Sequence, residues 1–497
     1  MKRLALLSPW AWVWLSVLLS CASGSTTDPP AQQPGIDGDQ AIIGDKGPTG
    51  DQGPAGDKGP AGDQGPAGDK GPAGDQGPIG DKGAPFGSWV DVRDYGAVGD
   101  GITDDTTAIQ ALFDDIRGGI VTASGVHFPA GTYAIANTLT VNLQRITIQG
   151  DHRDTSVIKM TAANAPILLW NSETTPAGGV MSGINIRSLG LAFAAPATVS
   201  DTQAYAVQFR ATPDGTGGIS YGYFTMDFYD LSIWNSYVGI GQYTTGGGIC
   251  PIWSTSYRNI VFWNTRHTAI KLESAGNSGQ PNNSIHQVDI LNYNSTVLSD
   301  GPALVIKGSS VSASAVNIED WQNTAINAYG GTYTVINGLR FERHDLTGPN
   351  PQVLHLADGQ FVLNGVSLSY LRLGAMSGLA RLLWLQNSAQ VAVFGLGASI
   401  ESGTGTVVAF WAPPPSKLSV GGVSLGAGIS AWLSSAWGDG LYGRVVEDGM
   451  APHVNALPAP DVSYRGRVFA IDGAAEEPDK LYRCEKAADD SYLWREL

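Results

Sequence analysis

Between residues 231 and 320 the chain repeats one pattern of apolar and polar positions four times. Leu231-Ser-Ile233-Trp-Asn235, Ile260-Val-Phe262-Trp-Asn264, Val288-Asp-Ile290-Leu-Asn292 and Val316-Asn-Ile318-Glu-Asp320 superimpose, their centres 29, 28 and 28 residues apart. Alternation of period two predicts strands with one face inward, and a fixed spacing near 28 predicts that each strand opens one coil of a solenoid. Leu339-Arg-Phe341-Glu342, Val366-Ser-Leu368-Ser369 and Val391-Ala-Val393-Phe394 continue it at 23, 27 and 25 residues. A different period appears upstream, where Ile109, Leu112, Phe113 and Ile116 fall at i, i+3, i+4 and i+7, the stripe of an amphipathic helix. Thr103 or Asp104 suits its N-cap, and Gly118-Gly119 ends it.

If residues 231 and 233 and their equivalents point inward, two outward columns follow. One reads Ser232, Val261, Asp289, Asn317, Arg340, Ser367, and the other Trp234, Trp263, Leu291, Glu319, Glu342, Ser369. With coils about 4.8 Å apart, Trp234 and Trp263 are expected to stack as an exposed strip. Glu319 and Glu342 follow, flanked by Asp289 and Arg340. Aromatic rings that cover sugar faces, leading to carboxylates able to act as acid and as base or nucleophile, are what a polysaccharide groove requires. Glu319, Glu342 and Asp289 are therefore the candidate catalytic residues, and Trp234, Trp263 and Arg340 the candidate substrate contacts. Adjacent glutamates are expected to raise one another's pKa toward neutrality. The plainer reading is that such outward charges are solvated and that the tryptophans are covered by loops or a neighbouring copy. The column Asn235, Asn264, Asn292 reads as an asparagine ladder at a turn, with Asp320 departing from it.

A third period, of exactly three residues, precedes these elements. Glycine recurs at every third position from Gly44 to Gly83, giving 14 Gly-X-Y triplets that end at Pro85. Only glycine fits the axis of three wound polyproline strands, so the tract predicts a homotrimer. Six prolines (Pro48, Pro54, Pro60, Pro66, Pro72, Pro78) stand at X and only Pro85 at Y, the position hydroxyproline stabilises. Asp-Lys pairs such as Asp45-Lys46 and Asp57-Lys58 recur at X and Y, placed to meet between chains. At about 3.1 Å per residue the tract spans roughly 130 Å.

Before it, Lys2-Arg3 and the apolar run Leu4–Leu19 have the anatomy of an export signal. Leu18-Leu19-Ser20-Cys21 resembles the bacterial lipobox. Lipidation of Cys21, ordinary cleavage near Ala22 and an uncleaved anchor all remain open, and each places the protein outside the cytoplasm. The divisions expected are a signal (1–21), a linker (22–43), the collagen-like tract (44–85), the solenoid (87–440) and a small C-terminal β module (441–497). That last module rests on strand patterns at Tyr464–Gly473, Leu481–Lys486 and Tyr492–Trp494. Near Pro413-Pro414-Pro415 the coils are expected to become irregular.

The formal net charge of −16, only −3 of it in the collagen-like tract, argues against nucleic acid and against membrane contact other than a lipid anchor. Cys250 and Cys484 form no disulfide framework, and no Cys/His spacing suggests a metal or other cofactor. His267, His286, His344 and His355 are scattered, as structural histidines are. The acids Asp100, Asp104 and Asp105 suit turns and capping better than calcium.

The run Asp94-Tyr95-Gly96-Ala97-Val98-Gly99-Asp100-Gly101-Ile102-Thr103-Asp104-Asp105-Thr106, followed by Phe128-Pro129-Ala130-Gly131-Thr132-Tyr133, resembles the opening of the pectate-lyase-like superfamily, which includes rhamnogalacturonase- and epimerase-like proteins and many phage tailspikes. The resemblance implies an all-β fold, a right-handed parallel β-helix capped by the helix. It implies no reaction. Polygalacturonase-type members carry Asn-Thr-Asp, Asp-Asp and Gly-His-Gly along the coils. Here Asn264-Thr265-Arg266 and Asn323-Thr324-Ala325 each lack the acid, so those catalysts do not carry over. The C-terminal strands resemble small β modules that close phage tail-fibre and tailspike chains. Three functions compete: a depolymerase cleaving polysaccharide, a non-catalytic trimeric adhesin binding surface glycan, and a structural surface projection.

Overall fold

The computed structural model describes residues 89–171, 181–211, 222–244, 251–273, 283–293, 299–330, 333–412, 416–430, 453–454, 460, 468–471, 480–487 and 491–496. The signal, Cys21, the collagen-like tract and Cys250 lie outside them.

Successive coils form a right-handed parallel β-helix. Each contributes one long strand to a first sheet, which joins 16 of the described strands, and one short strand to a second sheet joining 11. A three-stranded sheet of Met181–Ser182, Tyr223–Phe224 and Ile252–Trp253 fills a further corner. All pairings in these sheets are parallel, the arrangement in which consecutive coils must be joined by crossovers. The interior is continuous and apolar. Phe228 and Tyr257 stack at 5.1 Å on neighbouring coils, and Trp170 stacks on Phe209 at 5.6 Å.

The long strands share a bend at a residue with positive φ: Ser188, Asp230, Asn259, Gln287 and Ala315, then Gly338, Gly365, Gly395 and Gly422, and Gln360–Ser377 has a second such residue at Tyr370. Pairing skips the shared bend residue, so Tyr229 matches Arg258 and Leu231 matches Ile260 while Asp230 and Asn259 stay unpaired in the ladder. The bend divides the first sheet into two flat faces. The expected register holds through Ile233, Phe262, Ile290, Ile318, Phe341 and Leu368.

One coil corrects the sequence reading. Val391-Ala-Val393-Phe394 pairs with Phe361–Asn364, before the bend, and Leu368 is matched instead by Ala398. Both stretches alternate, so a slip across the bend leaves the pattern intact. Pro413, Pro414 and Pro415, where irregular coils were expected, lie outside the described residues; just beyond them Lys417–Leu425 pairs with Gln390–Ala398 in register.

The helix Thr106–Arg117 buries Ile109, Leu112 and Phe113 against the first coils. Its N-cap is Asp105, one residue later than expected, and the Asp105 carboxylate instead accepts from the amides of Val98 (2.6 Å) and Gly99 (3.1 Å). Asp104 accepts from the Thr106 amide (3.0 Å), and Asp100 from those of Ile102 and Thr103. The acidic cluster thus works in capping and turn formation.

At the C-terminal end, His453–Val454, Val468–Ile471, Lys480–Lys486 and Tyr492–Glu496 form a four-stranded sheet, mostly antiparallel, in which Cys484 is buried.

Candidate functional site

The face of the first sheet beyond the bend carries both predicted columns. Trp234, Trp263, Leu291, Glu319, Glu342 and Ser369 are matched coil to coil, as are Ser232, Val261, Asp289, Asn317, Arg340 and Ser367. All six candidate residues therefore share one face.

Their surroundings differ from expectation. Trp234 and Trp263 are half-buried rather than fully exposed. Trp234 lies over Gly190, where a Cβ would come 3.0 Å from Cζ3 of the indole. Among the described residues, the ring that Trp263 meets is Tyr293, centroids 6.0 Å apart and tilted 59°, not Trp234. Tyr293 is 51% exposed and extends the aromatic ledge toward the acids. Its hydroxyl donates to Oε2 of Glu319 at 2.6 Å. On the other side the turn carrying Arg153 and Asp154 folds onto this face, Asp154 accepting from the Ser232 hydroxyl at 3.0 Å.

Glu319 is only 7% exposed. Its Oε1 accepts from Asn317 (2.8 Å), and its Oε2 also accepts from Nη2 of Arg343 (2.8 Å). Arg343 reaches Glu342 through Nη1 (3.3 Å) and Asp320 through Nε (3.1 Å), and Arg340 closes a further pair with Glu342. Arg372 joins Asp320 (2.9 Å) to Asp345 (2.6 Å). Three arginines thus hold four carboxylates in one network.

Paired glutamates were expected to push each other's pKa upward. For Glu319 the opposite holds. Burial raises it, but hydrogen bonds from Asn317 and Tyr293 and the charges of Arg343 and Arg340 outweigh burial and hold its carboxyl below the ordinary range. The carboxyl that is pushed up is Asp289, chiefly by burial and also by the charge of Glu319, against the pull of an Asn317 hydrogen bond, Arg153 and Arg340. The two carboxyls therefore shift in opposite directions, Glu319 down and Asp289, in the neighbouring column, up. Arg340 is the most open of the cations, its side chain 55% exposed. Among the described residues no group of three His, Cys, Asp or Glu side chains is placed to hold a metal ion.

Sequence reasoning missed Tyr293 and Arg343. Arg343 was findable, since the turn column Asn235, Asn264, Asn292, Asp320 reaches it at the next coil. Main-chain amides of that column run on without a break, Asn292 to Glu319 O, Asp320 to Glu342 O and Arg343 to Ser369 O. Side chains of the same column also bond along it: Asn264 donates to Asn235 at 3.4 Å, and Asn235 to Phe193 O at 3.1 Å. Tyr293 had no signal, because it lies just past a strand where the period of two ends.

The histidines have structural partners. His267 pairs with Asp300 (2.9 Å) and stacks on Tyr237, His286 meets Ser314 (2.6 Å), and His344 is fully buried against Asn323 O and Phe341.

Comparison with known proteins bears on the fold. Residues 30–88 match the collagen triple helix repeat. No curated protein matches the chain. Solved structures similar to it include an N-terminal fragment of bacteriophage phi29 gene product 12 (14% identity, TM-score 0.48, 71% of this chain and 65% of that one). They also include the A-module of a mannuronan C-5 epimerase from Azotobacter vinelandii (13%, TM-score 0.37, 72% and 100%) and PfbA, a surface adhesin of Streptococcus pneumoniae (13%, TM-score 0.36, 82% and 98%). The chain spans 51% and 65% of the two phi29 chains it matches. At such identities the likeness is one of fold. Residues 89–344, over half of the chain, match the model described as rhamnogalacturonase A/epimerase, pectate lyase-like, and the chain belongs to that family.

Proposed function

We propose that this is an exported, trimeric surface protein whose β-helix binds polysaccharide along the ledge Trp234–Trp263–Tyr293, with Arg340 as a polar contact. The observation that carries the reading is the ledge itself: aromatic side chains on consecutive coils, partly open, running onto charged groups fixed by an ion-pair network. Rings in that order can cover successive sugar faces, while the network keeps the polar end rigid. Binding is favoured over cleavage because hydrogen bonds and arginine charge hold the Glu319 carboxyl below its ordinary range, and Glu342 is tied to Arg340 and Arg343 in ion pairs.

The test is retention of the full chain on an immobilised panel of bacterial and plant polysaccharides. Trp234→Ala with Trp263→Ala should cut retention about tenfold, given about 0.5–1.5 kcal/mol for each of the two lost stacking surfaces. Undiminished retention would exclude the ledge as the binding face.

The raised Asp289 beside the ionised Glu319 favours a second reading, a depolymerase in which Asp289 protonates the leaving oxygen. In that case the same panel should release reducing ends, and Asp289→Asn should abolish the release. No release by the wild-type chain removes this reading and leaves the binder.

A further inference from the structure

The second sheet presents a face of different electrostatic character. Its described strands carry four basic side chains, Arg210, Lys271, Lys307 and Arg381, and a single carboxylate, Glu273, on a chain whose net charge is −16. The basic groups are interleaved with rings. Arg210 lies 5.2 Å from the centroid of Tyr243 and Lys307 5.7 Å from that of Tyr329. Arg381 lies 5.6 Å from Trp384 and 4.5 Å from Trp411.

Trp384 and Trp411 are matched residues on neighbouring coils, and the column continues back through His355, which stacks on Trp384 at 4.4 Å, to Asn327. His355 is held between Asn327 (2.8 Å) and Gln386 (2.9 Å), so the platform under the rings is fixed. Among the described residues neither Arg381 nor Lys307 has a carboxylate within ion-pair distance, whereas Lys271 is paired with Glu273 at 3.1 Å, and Nε of Arg381 is buried without a hydrogen-bond partner. Burial between the indoles lowers its pKa, the sign of a cation desolvated without compensation. A guanidinium so placed has unused donors for a planar anion, and the indoles beside it offer sugar-stacking surface.

From this arrangement we infer that the second sheet is a separate binding face for an anionic glycan, with Trp384 and Trp411 stacking on a sugar whose carboxylate or phosphate is taken by Arg381. Lys307 and Arg210 continue the basic positions along the same sheet, while Lys271 between them is paired with Glu273. From the coil of Arg210 to that of Trp411 there are seven steps, roughly 34 Å at about 4.8 Å each, which suits an extended chain better than a single sugar. The shared chemistry is a negatively charged group on a sugar ring. Carboxylate and phosphate are its two sources, and the test separates them.

The experiment is affinity electrophoresis of the full chain in native gels containing dextran, carboxymethyl-dextran or phosphorylated dextran. Each mobility is compared with the same protein in a gel without polysaccharide. The wild-type chain should be retarded by a charged dextran at concentrations at which neutral dextran has no effect, and the stronger of the two names the anion. Arg381→Gln should weaken that retardation about tenfold, the loss expected for a charge-assisted hydrogen bond, and Trp411→Ala should weaken it as much. Arg117→Gln, on the helix, removes an equal charge and should change nothing. Should Arg381→Gln not fold, Lys307→Gln provides the same comparison with a smaller expected loss. The inference is overturned if neither charged dextran retards the wild-type chain, if Arg381→Gln and Trp411→Ala run as the wild type, or if a single-stranded oligonucleotide is held as tightly as the charged dextran. The double variant Trp234→Ala, Trp263→Ala separates this face from the ledge. Here it should keep its retardation, whereas a chain binding glycan only through the ledge would lose it and leave Arg381→Gln unaffected.

Discussion

His344 and Arg343 are consecutive residues facing opposite ways, and each sets a different dependence on pH. Arg343 points out to Glu319, Glu342 and Asp320, while His344 points in and is completely enclosed. Burial, together with the charge of Arg372, pushes the His344 imidazole down to about 4 from its ordinary 6.5, although its hydrogen bond to Asn323 O pulls the other way. The folded chain therefore holds fewer protons at this site than the unfolded chain everywhere between those values. Where the unfolded state binds more protons, stability falls as pH falls, so the loss begins near pH 6.5 and is complete near pH 4. The full difference amounts to about 3 kcal/mol. Glu319, whose folded pKa is depressed, loses its contribution only below the ordinary carboxylate range, so its limb lies lower on the pH scale. Urea midpoints measured from pH 7 to pH 4.5 should fall steadily for the wild type. In His344→Gln, which keeps a donor for Asn323 O but cannot titrate there, the curve over that window should be much shallower, keeping only the smaller part due to His355, whose pKa burial also lowers. An equally steep curve in the variant would place the acid sensitivity elsewhere.

At the scale of the element, the long strand with its recurring bend explains both what could be read from the sequence and what could not. Ile233, Phe262, Ile290, Ile318 and Phe341 were legible as one inward stack because alternation and a near-constant spacing point to the same register. The bend was not legible, since the position is filled by Ser, Asp, Asn, Gln and Ala before it becomes Gly, and no side-chain type marks it. That omission misplaced Val391-Ala-Val393. The outward columns were legible for the same reason as the core. The direction of the Glu319 shift was not, because two of the groups that lower it, Tyr293 and Arg343, sit at turn residues outside the alternating phase. The bend also makes a prediction. Ala315 adopts φ 51° at a position where four later coils use glycine. A left-handed conformation costs a residue with a Cβ about 1–2 kcal/mol, and glycine returns part of that as chain entropy. Ala315→Gly should then raise the unfolding free energy by about 0.5–1 kcal/mol, and Gly365→Ala, where φ is 64° and a Cβ would find only ordinary contacts at 3.9 Å, should lower it by about 1 kcal/mol. Denaturant titration of both variants checks the pair, and matching signs would show that the bend is not what limits them.

The binding faces proposed above gain most of their biological weight from number. One copy with a weak glycan site dwells briefly on a surface, whereas linked copies rebind before they diffuse away, and avidity can exceed the single-site affinity by about 10²–10⁴. The 14 Gly-X-Y triplets supply a reason to expect three copies. With proline almost confined to X, the tract does not draw on hydroxylation, so material made in bacteria should assemble. Its recurring Asp-Lys pairs are each worth only about 0.2–1 kcal/mol and are screened by salt. The expected result is a trimer by sedimentation equilibrium, with a dissociation temperature that falls as salt is raised from 0.01 to about 1 M. Gly65→Asp places a side chain where only glycine fits and should lower that temperature further. It should also bring retention on a glycan-coated surface down toward the single-copy level while leaving affinity for a short soluble saccharide unchanged. A wild-type chain that sediments as a monomer would remove the trimer. A Gly65→Asp variant that loses affinity for the soluble saccharide as well would show that the collagen-like tract acts on the site itself rather than through the number of copies.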